Sequence, residues 1–255
     1  MTSPLLTLQN VGKVFDSGVA ALSGIDLRLG AGEFVAVLGA SGCGKSTLLR
    51  LIAGLSEPSS GTVQWSGAAD RPAGRLGFVF QDPTLMPWAS VDDNVYLPLR
   101  LAGMSRSEAA PRIAEVLAAV ELGDFADAFP RELSGGMRMR VSIARALVTQ
   151  PDVLLLDEPF AALDEPTRFK LNEDLLRLWR QRGLTVVFVT HSVFESVFLS
   201  QRVVVMSRRP GRVHADLPVT LPYPRDSALR MSAAFGASCQ RVSEVLTQAT
   251  GAQAA

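Results

Sequence analysis

The sequence carries no excess of charge of either sign: 25 Lys and Arg face 25 Asp and Glu among 255 residues. No field of one sign therefore draws the chain to nucleic acid, and a DNA or RNA partner is not expected. Long apolar runs are also missing. The longest, such as Phe34–Leu38 and Val153–Leu156, fall far short of the roughly 20 residues that cross a bilayer. The opening Met1-Thr-Ser-Pro-Leu-Leu shows no charged and then apolar leader pattern, so a cytoplasmic address is expected. Cysteine is scarce: Cys43 and Cys239 form neither a disulfide framework nor a metal-ligand spacing, and both read as free thiols.

What is present is a core. Hydrophobic residues make up 47% of a chain long enough for one large domain or a core with an inserted subdomain. Residues 5–11 and 25–29 alternate apolar and polar side chains around a Gly-containing loop, which predicts an antiparallel β region. Phe34–Leu38 is continuously apolar, as in a strand buried on both faces, and leads through a Gly-rich loop to the helical pattern Lys45–Ala53 before Gly54. Further apolar runs at Leu76–Phe80, Val153–Leu156, Val186–Val189 and Val203–Met206 alternate with helical patterns, which predicts an α/β core with a largely parallel sheet.

Between Met86 and Gln150 the strand signal disappears, and an inserted helical subdomain is expected. Ser105 and Glu108 fit a capping box, with Ile113, Val116, Leu117 and Val120 on one helical face. Pro111 would remove a hydrogen bond or kink the first turns of that helix. From Leu217 an extended linker is expected, then a further helix or two over Ser227–Thr247. The expected organisation is a single domain: core at 1–86 and 150–215, helical subdomain at 87–149, C-terminal tail at 216–255.

Gly39-Ala40-Ser41-Gly42-Cys43-Gly44-Lys45-Ser46-Thr47 matches G-x-x-x-x-G-K-[ST] between a buried strand and a helix, the context that this phosphate-binding pattern requires. Its glycines let backbone N–H groups face phosphate oxygens, Lys45 reaches the β- and γ-phosphates, and the Ser46 hydroxyl ligates Mg²⁺. Such a loop places the core in the P-loop NTPase class. Asp157 and Glu158 end a buried run; the first can hold Mg²⁺ through water and the second can polarise an attacking water. Gln81 and His191 each follow another apolar run, so four strands deliver Lys45, Gln81, Asp157 with Glu158, and His191 to the carboxyl edge where ligands bind. Ser134, Gly135 and Gly136 open an amphipathic helix with no preceding strand, a second candidate anion site. One nucleotide does not need two cradles from one chain. Head-to-tail pairing of two copies, each closing the other's site, is the economical arrangement.

With these residues assembled, the chain closely resembles the nucleotide-binding subunits of ABC transporters over essentially its whole length. Gly39–Ser46 resembles the Walker A motif, Gln81 the Q-loop, Leu133–Met137 the signature motif, Leu154–Asp157 Walker B, Glu158 the catalytic glutamate, Ala161–Asp164 the D-loop and His191 the switch histidine. Phe15 resembles the aromatic that stacks on adenine. The resemblance implies ATP and Mg²⁺ as ligands, with Gln81 joining Ser46 and Asp157 at the metal and Asp164 near the nucleotide. It implies a homodimer in which Ser134 and Gly136 contact the γ-phosphate held by the opposing copy. It further implies a permease whose coupling helix meets the helical subdomain and the Gln81 region, and a location at the inner face of the cell membrane.

Leu85–Trp88, residues 135–138 and Ser207–Val213 resemble the nitrate, sulfonate and taurine group of bacterial importers, which work with a periplasmic or lipoprotein substrate-binding protein. Importers of pyrimidine precursors share that group, and a soluble non-transport ATPase is the reading from another class. Three residues depart from the family pattern: Met139 where Gln is usual, Ala161 where Ser is common, and Ser192 where Asp is usual.

Overall fold

A computed structural model of the chain describes residues 4–66 and 76–251. The first three residues of the N-terminal segment, residues 67–75 of the expected core and the last four of the tail lie outside the described residues. The elements, in chain order, are β1 (Leu6–Val14), β2 (Ala20–Leu29), β3 (Phe34–Leu38), α1 (Lys45–Ala53), β4 (Ser60–Trp65), β5 (Leu76–Val79), α2 (Val91–Leu101), α3 (Arg106–Ala119), α4 (Gly135–Leu147), β6 (Val153–Asp157), α5 (Glu165–Arg182), β7 (Thr185–Thr190), α6 (Val193–Leu199), β8 (Arg202–Met206), β9 (Val213–Pro218), α7 (Ser227–Arg230) and α8 (Ala233–Thr250). The chain divides into two compact units, residues 1–71 with 184–255 and residues 72–183.

In the first unit β1 pairs antiparallel with β2 on one side and β4 on the other. The antiparallel region is thus present, but the second strand starts at Ala20 rather than at residue 25. Register shifts at Val11, Lys13 and Val14 break the period-two pattern there, which hides the first half of β2 from the sequence. A second sheet runs β7-β3-β8-β9, parallel across β7, β3 and β8 and antiparallel at β9. All five residues of β3 and all six of β7 are buried, and the Phe34 and Phe188 rings stand 6.3 Å apart between them. Each Val, Leu or Phe side chain there contributes about 1.5–3 kcal/mol by leaving water. β9 replaces the start of the expected linker: Val213–Pro218 pairs with β8, half-exposed along its length, as an edge strand with little apolar signal.

α1 runs over the expected residues, and Gly54 ends it in a left-handed conformation, donating to the Arg50 and Leu51 carbonyls. The tail holds two helices, α7 and α8, as expected.

In the second unit β5 and β6 pair in parallel, with Val79 opposite Leu156. α2 to α5 also lie in this unit, with 3-10 turns at Gly123–Phe125 and Pro130–Glu132. Ser105 and Glu108 form the expected capping box of α3, and Ile113, Val116 and Leu117 are buried. Pro111 does not interrupt α3, and of the two expected effects the lost hydrogen bond is the one its ring imposes. It stands exposed, as does Ser107, whose carbonyl loses its helical donor and can be hydrated. α2 likewise tolerates Pro98.

Candidate functional site

In the first unit the loop 39–44 leaves β3 and enters α1. Gly44, the N-cap, has φ +102°, and a Cβ there would stand 2.7 Å from Leu22 Cδ2 and 2.9 Å from the Ala21 carbonyl oxygen. Only glycine serves at this turn. A glycine N-cap also brings no side chain to compete for the first-turn N–H groups, the usual anion donors of a helix start. Lys45 is 4% exposed, and its Nζ donates to the carbonyl oxygens of Gly39 at 2.8 Å and Ala40 at 3.1 Å. The ammonium therefore lies over the loop rather than in solvent. Ser41, Gly42 and Ser46 are exposed, Ala40 and Thr47 half-buried, and Cys43 buried.

β7 is the parallel neighbour of β3, with Thr190 opposite Leu38. Consequently Gly39 and His191 leave adjacent strands at the same end. His191 is exposed, and the segment around it is fixed from both sides. The Thr190 hydroxyl donates to Glu195 Oε2 at 2.5 Å and accepts the Ser192 N–H at 2.9 Å, while the Ser192 hydroxyl caps α6 by accepting the Glu195 N–H. Ser192 thus performs the N-capping task for which Asp is equally suited. Phe15 sits on the turn after β1, 42% exposed, with Lys13 Nζ 5.8 Å from the ring centroid.

In the second unit the parallel register of β5 and β6 sends Gln81 and the pair Asp157 and Glu158 out of the same strand ends. Asp157 is the last residue of β6. Glu158 follows with φ +46°, a left-handed conformation that a non-glycine residue holds at a cost of roughly 1–3 kcal/mol. The strand thus ends in a turn, which the Ala161 N–H closes on the Glu158 carbonyl at 3.2 Å.

The segment after Gln81 is held by two side chains that the sequence reading missed. Asn94, fully buried, accepts the Met86 N–H at 2.8 Å and donates to the carbonyls of Met86, Ala89 and Ser90. Arg145 donates to the Pro83 carbonyl at 2.7 Å and the Thr84 carbonyl at 2.9 Å, and its burial lowers the guanidinium's pKa. Asn94 bonds backbone groups four to eight residues before it and Arg145 carbonyls more than sixty residues away, and neither side chain belongs to a recognisable spacing.

Ser134 caps α4, accepting the Met137 N–H at 3.2 Å, and Gly135 and Gly136 form its first turn. A Cβ on Gly136 would meet Thr167 Cγ2 at 2.6 Å, so α5 approaches α4 too closely there for alanine. Asp164 caps α5 by accepting the Thr167 N–H at 3.1 Å, and that bond lowers its carboxyl pKa. Met139 is buried on α4, where an amide in place of the thioether would require a polar partner.

The ABC transporter family profile matches residues 22–161 of the chain. The chain belongs to the ABC transporter family. Its similarity to the family's members extends beyond that span. A nitrate import ATP-binding protein of Synechocystis sp. is 45% identical over 85% of this chain and 83% of its own length. A taurine import ATP-binding protein of Rhizobium johnstonii is 52% identical over 77% of this chain and 76% of its own length. A solved dimeric ATP-binding cassette in its post-hydrolysis state, bound to ADP and Pi, superposes with a TM-score of 0.74 at 35% identity, covering 85% of this chain and 100% of that one. The fold is accordingly that of the P-loop ABC ATPases, and the chain is an ATP-binding, ATP-hydrolysing ABC subunit. The expected resemblance to the nitrate, sulfonate and taurine group agrees with these relatives.

Proposed function

We propose that the chain is the ATP-hydrolysing motor of a bacterial importer for a small anion of the nitrate, sulfonate or taurine class. The observation that carries the reading is the pairing of strand ends: the 39–47 loop with His191 on β3 and β7, and Gln81 with Asp157 and Glu158 on β5 and β6.

In this reading Gly39–Thr47 cradles the triphosphate, Lys45 neutralises its β- and γ-oxygens and Phe15 stacks on adenine. Glu158 accepts a proton from the attacking water, His191 steadies the γ-phosphate, and Gln81 links the site to the permease. Ser134, Gly135 and Gly136 of a second copy seal the nucleotide, with Asp164 beside it, so that closure of a homodimer completes each site.

The residues proposed for Mg²⁺ suit it by their chemistry. Ser46, Asp157 and Gln81 offer hydroxyl, carboxylate and amide oxygens, the hard ligands that this ion takes. Such an ion takes few protein ligands and completes its shell with phosphates and water. Bound there, it would neutralise charge on the β- and γ-phosphates.

The helical segment 87–149 is taken as the subdomain that meets the permease. A groove of about 370 Å³ lined by Phe78, Phe80, Leu97, Leu101 and Arg145 supports this, since Leu101 is 77% exposed at its rim. Among the described residues no helix is long and apolar enough to cross a membrane, and we place the chain at the cytoplasmic face, held by that permease. A periplasmic or lipoprotein binding protein would deliver the anion.

The test is phosphate release by the chain reconstituted with its permease and binding protein, with nitrate, taurine or an alkanesulfonate supplied in turn. Stimulation by one of these supports the reading. Hydrolysis unmoved by all three while another solute stimulates it excludes the anion class, and no hydrolysis at all excludes the motor.

A further inference from the structure

Residues Ser207–Arg212 join β8 to β9. They form a closed loop: the Ser207 N–H donates to the Arg212 carbonyl at 3.0 Å, and the Ser207 hydroxyl accepts the Arg212 N–H at 3.1 Å. Gly211 stitches that loop to β2, donating to the Ala21 carbonyl at 2.9 Å and accepting the Ser23 N–H at 3.0 Å. A Cβ on Gly211 would stand 2.0 Å from the Cys43 carbonyl oxygen. The two loops therefore touch backbone to backbone, and no larger residue fits between them.

From this loop Arg209 reaches the phosphate loop itself. Its Nε and Nη2 donate to the Gly42 carbonyl oxygen at 3.3 and 3.2 Å. The Gly42 carbonyl and the Cys43 N–H are the two ends of one peptide group. In this structure that N–H closes a turn within the loop, donating to the Ala40 carbonyl at 3.3 Å, and a cation on the oxygen end fixes the plane of the peptide and strengthens its N–H as a donor, to Ala40 here or to a phosphate oxygen that takes its place. Lys45 does the corresponding work on the carbonyls of Gly39 and Ala40. Three carbonyl oxygens of the loop are thus bonded to cations, and the negative ends of those peptide dipoles no longer oppose an incoming anion.

We propose that Arg209 is a positioning residue for the phosphate loop, which holds the Gly42–Cys43 peptide in the orientation that binds a nucleotide's phosphates. The proposal rests on the ATP reading above. Arg209 is exposed, so its contribution is to nucleotide affinity rather than to the core. It acts on the ground state and on the transition state alike, and its loss moves KM and leaves kcat in place.

The experiment measures ATP and ADP affinity by calorimetry, and KM and kcat for ATP, on the full chain carrying Arg209→Ala, Arg209→Lys or Arg208→Ala. Arg209→Ala is expected to weaken both nucleotides by about tenfold with kcat within about twofold, the scale of a single charge-assisted hydrogen bond. Arg209→Lys is expected to recover most of that affinity because it restores a cation, and Arg208→Ala to match the parent. Wild-type affinity in Arg209→Ala overturns the proposal, as does a fall in kcat at constant KM. Should Arg209→Ala prove unstable, Arg209→Lys decides: affinity close to the parent's supports the proposal and affinity at least about tenfold weaker overturns it. Failure of the parent chain to bind ATP strikes the ATP reading instead, which keeps the two claims apart.

Discussion

Lys45 Nζ lies 2.8 Å from the carbonyl oxygen of Gly39, the residue that opens the loop Lys45 closes. The side chain folds back over its own loop, so that charge, loop curvature and helix start form one unit. Lys45→Ala removes the central cation of that unit. ATP affinity measured by calorimetry is expected to fall by at least about a hundredfold, the scale of a charge-assisted phosphate interaction in a partly dry site. An affinity within a few-fold of the parent would count against the loop as the phosphate seat.

Glu158 has a left-handed backbone at φ +46° in a turn that the Ala161 N–H closes on its carbonyl, and Glu158→Gln keeps the side chain's size while removing the carboxylate proposed as the base. Steady-state ATP hydrolysis is expected to drop about 10²–10⁴-fold with ATP binding retained. Near-normal turnover in this variant would move the water-activating role to another residue.

Gly136 owes its identity in part to Thr167 Cγ2, which a Cβ would approach to 2.6 Å. Gly136→Ala is expected to destabilise by about 1–3 kcal/mol through overpacking, partly offset by alanine's better helix propensity. Adding Thr167→Ser deletes the offending methyl and should return most of that stability in urea unfolding. No recovery in the double variant would show that the methyl is not the cause.

Glu121 accepts from Lys170 and Arg140, which lowers its carboxyl from 4.5 to about 2. A carboxylate depressed in the folded state stabilises above its unfolded pKa and loses that contribution as pH falls through the folded value. Because the Glu121 side chain is 43% exposed, screening limits the effect to about 0.5–1 kcal/mol. Glu121→Gln is therefore expected to lower the unfolding midpoint modestly at pH 7, with the gap to the parent closing between pH 4.5 and about 2. Asp174 runs the other way, since burial raises its pKa. A gap that persists unchanged at pH 2 would sever the effect from the carboxylate.

Cys239 is buried, and desolvation pushes its thiol up to about 11. The thiolate is the reactive form, so alkylation at pH 8 should leave Cys239 unmodified in the native chain and label it after unfolding. Rapid native labelling, read by mass spectrometry of the peptide, would contradict its packing.

What could be read in advance follows from where the signal is local. β3, β6, β7 and β8 are legible because both their faces are buried and their residues run apolar without a break, and α3 because Ser105 and Glu108 announce its start. The 39–47 loop is legible as a loop because its glycines stand between an unbroken apolar run and a helical pattern, which the structure shows as β3 and α1. β4 and β9 escape because they are half-exposed edge strands, and the first half of β2 because bulges break its alternation. The supports of the site escape for another reason. Asn94, Arg145 and Arg209 act on backbone carbonyls, and Arg209 stands 167 residues from its partner Gly42, so no spacing in the sequence points from one to the other.

The motor reading depends on two copies closing over shared nucleotide. Sedimentation velocity of the Glu158→Gln chain with and without Mg-ATP tests this most directly, alongside the same chain carrying Ser134→Phe. The reading predicts a dimer that forms only with ATP and is lost when Ser134 is replaced. A chain that stays monomeric at saturating ATP, or a dimer indifferent to Ser134, would contradict it.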